Sequence, residues 1–87
     1  MENKKNENLK FQTLCWSKDK FTTKDGVLMV KITFVYGDEM VTLFSNNVEV
    51  IQQVDKVTPQ QWYNFELSFR VKEGIFKPVL LSVSPIK

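Results

Sequence analysis

The sequence has no histidine, one cysteine, three glycines and three prolines in 87 residues. Each shortage closes a class of function. Without histidine the commonest general base at neutral pH is missing, and with it any Ser-His or Cys-His nucleophile pair. The lone Cys15 excludes an intramolecular disulfide and leaves a structural zinc without its usual ligands. No metal or cofactor is expected. Carboxylate-only catalysis needs a deep cleft, which so short a chain rarely builds, so the expectation is a binding protein and not an enzyme. No apolar run approaches the ~20 residues that cross a bilayer. Residues 1–8 are Asn, Lys and Glu after the initial Met and lack the apolar segment of a secretory signal. The expected location is the cytoplasm, with no membrane partner.

The chain is rich in apolar and aromatic residues, 43% and 13%. That composition suits one small folded domain and excludes a disordered tail. Residues 1–8 read as a flexible polar tail, and 9–87 as a single domain. From Leu9 the apolar residues recur with period two, the signature of half-buried strands. The first strand runs from Leu9 to Phe21, and its imperfect alternation predicts a bulge or bend. Thr23-Lys24-Asp25-Gly26 signals a tight hairpin, since Asp-Gly tolerates positive φ. In the second strand, Val27 to Tyr36, Leu28, Val30, Ile32 and Phe34 share one face and Met29, Lys31 and Thr33 the other. After Gly37-Asp38-Glu39 a third strand, Met40 to Ser45, sets Val41 and Leu43 against Met40, Thr42 and Phe44.

The period then changes. Val48, Val50, Ile51 and Val54 suit one or two helical turns, with Ser45, Asn46 or Asn47 as N-cap. A loop through Pro59 leads to a fourth strand, Trp62 to Lys72, with Tyr63, Phe65, Leu67, Phe69 and Val71 on one face. Lys72-Glu73-Gly74 turns into a fifth strand, Ile75 to Ser84, which carries Val79, Leu81 and Val83 inward and has Pro78 at an edge or a bulge. Five short strands with one helix between the third and fourth match the order of an OB-fold, a mainly β, five-stranded antiparallel barrel with a helix plugging one end. An SH3-like barrel or an open antiparallel sheet with one helix is the alternative.

Net charge is only +2, but it is unevenly spread. Residues 10–36 hold five lysines (10, 18, 20, 24, 31) against two aspartates, and residues 70–87 hold Arg70, Lys72, Lys77 and Lys87 against Glu73. Residues 37–69 have one lysine against five carboxylates. Aromatic residues accompany the basic segments: Trp16 precedes Lys18 and Lys20, Phe44 shares a face with Lys31, and Phe76 lies between Lys72 and Lys77. Cations along phosphates and flat rings under bases are the means by which single-stranded nucleic acid is bound. In an OB-fold the ligand crosses the second and third strands between the first and last hairpin loops; here those loops, 22–26 and 72–77, are both basic. Trp16, Lys18, Lys20, Lys24, Lys31, Phe44, Arg70, Lys72, Phe76 and Lys77 are the candidate contacts. Each has a plainer reading beside it. Trp16 and Phe44 also suit the core of a small barrel, and Tyr36 and Trp62 suit packing at strand ends. The lysines of the first hairpin also suit an ordinary solvated surface.

Tyr63, then Leu67-Ser68-Phe69-Arg70-Val71, a turn with Gly74, an apolar strand and Pro85 before Lys87 resemble the end of the filamentous-phage gene V type of single-stranded DNA-binding protein. The resemblance covers the last third of the chain. It implies a small OB-fold protein of a phage, plasmid or other mobile element that coats single strands as a homodimer, with Arg70 and Phe76 near the strand. The exposed tyrosines of that family have no counterpart in the middle of this sequence. The functional expectation is sequence-tolerant binding of single-stranded DNA, with RNA as the other candidate. The alternative is a small interaction module that docks onto a replication enzyme (a primase, polymerase or helicase) through an apolar face of Met29, Met40 and Phe44.

Overall fold

The computed structural model describes the backbone of residues 7–86 and, within it, every side chain except those of Glu7, Arg70, Val71, Lys72 and Phe76. The alternating residues of this stretch form five strands and one helix: β1 (Glu7–Thr22), β2 (Leu28–Tyr36), β3 (Glu39–Ser45), α1 (Val48–Asp55), β4 (Gln61–Lys72) and β5 (Ile75–Pro85). All neighbours are antiparallel, in the order β3-β2-β1-β4-β5. β1 starts at Glu7, inside the stretch read as tail, because Glu7 and Asn8 pair with Phe69 and Ser68. Its first half pairs with β4 and its second with β2, so one long strand serves both halves of the sheet. The sheet curls into an OB-like half-barrel whose outermost strands, β3 and β5, form no ladder with each other among the described residues.

The concave side is the core. Val30, Ile32 and Phe34 of β2, Leu43 of β3, Cys15 of β1, Phe65 and Leu67 of β4, and Leu80 and Val83 of β5 are buried there. The Phe34 and Phe65 rings lie 4.7 Å apart, with Phe11 within 6 Å of both. Burying side chains of this size contributes roughly 1.5–3 kcal/mol each. α1 closes one end of the barrel with Val50, Ile51 and Val54. Its N-cap is Asn47, whose side-chain oxygen accepts from the Glu49 and Val50 amides. Val and Ile are weak helix formers, so packing and capping hold this helix more than propensity does.

Two bulges displace the period-two pattern. In β1 the register slips between Cys15 and Ser17, leaving Trp16 as the extra residue. In β5 the pairs Glu66↔Ser82 and Leu67↔Leu80 skip Leu81. The second slip corrects the expectation for β5: Leu80, not Leu81, enters the core, and Leu81 lies at the surface. Pro78 occupies an edge strand, the place where a sheet tolerates a residue without an N–H. At the turn into β5, Glu73 and Gly74 both have positive φ, 54° and 76°, the pattern of a type I′ hairpin.

Candidate nucleic-acid interface

The bulge at Trp16 decides which side chains of β1 reach solvent. Beyond it, Lys18 and Lys20 pair with the buried Ile32 and Val30, so they follow the inner face. Asp19 and Phe21 pair with Lys31 and Met29 and follow the outer one. An unbroken alternation from Cys15 would have done the reverse.

At the rim of the inner face lies the C-terminus of α1, whose last carbonyls have no partner within the helix. Its last turn has no basic residue of its own. Lys18 supplies the charge from β1: its Nζ donates to the carbonyl oxygens of Val54 and Asp55, both at 3.0 Å. Lys20 Nζ meets the Asp55 carboxylate at 3.0 Å. These two candidate phosphate contacts are therefore engaged in holding α1 to β1. A cation at a helix C-terminus also complements the helix dipole.

On the outer face, cross-strand rows run over β1, β2 and β3. Phe21 faces Met29; Asp19, Lys31 and Phe44 form the next row; Ser17, Thr33 and Thr42 form the third. The Thr33 and Thr42 hydroxyls are hydrogen-bonded at 2.8 Å. Phe44 is 55% exposed. Phe21 meets it edge-to-face, with ring centroids 6.2 Å apart. Phe44 thus stands outside the core, beside Lys31 as the alternation predicted. Lys31 makes no ion pair or side-chain hydrogen bond among the described residues. Phe21 is the residue that sequence reasoning missed, since its outward position depends on the bulge.

The remaining candidates are dispersed. Trp16 is 44% exposed at the bulge. Lys24 is exposed in the first hairpin, which is closed by Thr23 N–H to the Val27 carbonyl at 2.8 Å. Lys77 is exposed on β5, paired with Arg70. The two basic hairpins stand at opposite ends of β1, one beyond the pair Thr22↔Leu28 and the other beyond Glu7↔Phe69. The sheet thus separates Lys24 from Lys77. The side chains of Arg70, Lys72 and Phe76 lie outside the described residues.

Elsewhere the surface holds a groove and a cleft. A polar groove lined by Lys10, Gln12, Asn64, Glu66, Ser82 and Ser84 crosses β1, β4 and β5. An apolar cleft of about 160 Å³ opens at the end of the barrel away from α1, between Leu9, Tyr36, Val41, Phe69 and Pro78. Cys15 is buried and free. Burial pushes its thiol pKa up, with the Lys18 charge and the Ser17 backbone acting in the other direction. Among the described residues no three His, Cys, Asp or Glu side chains gather as a metal site would require, and no helix is long and apolar enough to cross a membrane.

No family model matches the chain, and neither the curated proteins nor the solved structures contain a match.

Proposed function

We propose that this protein binds single-stranded nucleic acid, DNA before RNA, without reading its sequence, on the outer face of β1, β2 and β3. The observation that supports this reading is the exposed Phe44 ring, backed edge-to-face by the half-buried Phe21, with Lys31 beside it. A base stacked on an exposed ring gains about 1–3 kcal/mol, and the gain is tolerant of sequence because every base has a π face. Lys31 and the nearby hairpin residue Lys24 supply charge for the phosphates. A role in the replication of a phage or other mobile element follows from the resemblance to gene V type proteins and belongs to the same proposal.

The test is fluorescence anisotropy of a labelled thymidine oligomer at low and moderate salt, with duplex as control. Phe44 is more exposed than buried, so Phe44→Ala should leave the fold intact and weaken binding by about 1–3 kcal/mol. Absence of binding at low salt overturns the proposal.

A second reading is favoured by one observation: Lys18 and Lys20 are engaged with α1, while Met40 and Phe44 stand about half exposed on β3. That combination suits an apolar contact with a replication enzyme. Such a contact would resist salt, whereas a strand contact would not.

A further inference from the structure

Both tryptophans of the chain, Trp16 and Trp62, are exposed, 44% and 60%. They belong to different strands but to one place on the sheet. Trp62 pairs directly with Leu14, and Trp16 lies two residues beyond Leu14 on β1. In a regular ladder such diagonal neighbours stand about 7–8 Å apart. Here the ladder ends one residue earlier, at Cys15↔Gln61, and Trp16 follows as the bulge residue, exposed beside the exposed Trp62. The backbone beneath them is pinned, because Cys15 pairs with Gln61 and its carbonyl accepts from the Gln60 amide at 2.6 Å. Gln60 has φ 67°, which turns the chain out of the ladder at this point.

This tryptophan pair lies on the same outer surface as Phe44. From β3 to β1 is two strand spacings, about 10 Å, and β4 follows. Between the two aromatic positions lies the row Ser17, Thr33, Thr42, which contains hydroxyls and no carboxylate. The nearest acidic side chain by register, Asp19, faces Lys31.

We infer that Trp16 and Trp62 form a second stacking element for bases of the same single strand that crosses Phe44. The inference rests on the single-strand reading proposed above. What selects a nucleic acid strand over an apolar protein surface is the floor between the rings. The Thr33 and Thr42 hydroxyls satisfy each other in part, which leaves one O–H of that pair and the Ser17 hydroxyl to be buried unpaired by an apolar partner. A strand places sugars and phosphates between its bases, and serine and threonine hydroxyls are regular partners of phosphate oxygens. Aromatic platforms separated by a hydroxyl floor therefore match the repeat of a strand.

The experiment uses the full chain and a thymidine oligomer of about eight nucleotides, followed by anisotropy and by intrinsic tryptophan emission in parallel. The expected result is quenching with the same midpoint as the anisotropy change. It should persist in the single-tryptophan variants Trp16→Phe and Trp62→Phe, each of which keeps an aromatic ring in place. Trp62→Ala should bind about tenfold more weakly. Shortening the oligomer to about three nucleotides, below the usual span of one OB-fold, should cost the unmodified protein more than this variant. Anisotropy binding without quenching in any form would overturn the tryptophan element and leave the Phe44 site standing. No binding at low salt would overturn both. Quenching by a proline-rich peptide, with none by the oligomer, would also overturn the inference and assign this face to a protein partner.

Discussion

Lys18 and Lys20 have the same charge as Lys31, but their neighbours give them a different task. Lys18 meets two helix-end carbonyls from a half-buried position. Lys18→Met should therefore lower stability by about 1 kcal/mol, which a domain of this size registers as a fall in Tm of about 4–8 °C. Lys20 and Asp55 are both nearly half exposed, so solvent screens their attraction, and Lys20→Ala should cost less than about 0.5 kcal/mol. Thermal melts by circular dichroism separate the two; equal losses would show that Lys18 holds no special place at α1. Cys15 supplies a second test. Burial raises its pKa, so the thiolate forms less readily in the folded than in the unfolded chain. The stabilisation is present below the unfolded thiol's pKa and is lost as pH rises from there through the folded value. At neutral pH the native thiol should resist a thiol reagent and react fully once denaturant is added. Rapid labelling of the native protein would contradict its burial.

At the scale of elements, most of the architecture was legible in the sequence. Period-two alternation gave β2 and β3 with their faces, the Asp-Gly and Gly-Asp turns gave two hairpins, and a change of period gave α1 with Asn47 among its candidate caps. What was not legible follows from two bulges. A bulge adds one residue and reverses the facing of all that follows until the next irregularity. In β1 it sends Lys18 and Lys20 to the rim of the core and Phe21 outward; in β5 it exchanges Leu81 for Leu80. An imperfect alternation announces that a bulge exists without fixing its position, since partner strands decide which residue is left unpaired. The placement of Lys18 depends also on α1, nearly forty positions away in the chain, and no local pattern encodes that meeting. The cap is a simpler matter. Asn47→Ala removes the acceptor for two orphan amides and should destabilise by about 1 kcal/mol. Asn47→Asp should retain most of that, because a carboxylate also suits a helix N-terminus. Chemical denaturation of the two variants checks the order; an Ala variant as stable as the Asp variant would mean that packing alone holds α1.

For the whole molecule, a net charge of +2 is a poor guide to how strongly it would hold a polyanion. What counts is the number of cations free on the binding face, and two lysines of the first basic segment are engaged with α1. Lys31 and Lys24 remain near the Phe21–Phe44 pair. Single-strand binding releases about 0.7 counterion per phosphate neutralised. Two contacts then predict a slope of roughly −1.4 in a plot of log affinity against log salt. Binding should be weak in its salt dependence for a nucleic-acid protein, with the rings supplying most of the free energy. Lys31→Ala should flatten the slope by about 0.7, and Lys20→Ala should leave it unchanged. Anisotropy titrations of the thymidine oligomer at four or so salt concentrations measure both. A steep slope that falls with Lys20→Ala would mean that Lys20 leaves Asp55 for phosphate, and that strand binding loosens the hold of β1 on α1. A slope near zero would turn the same face toward the apolar protein partner.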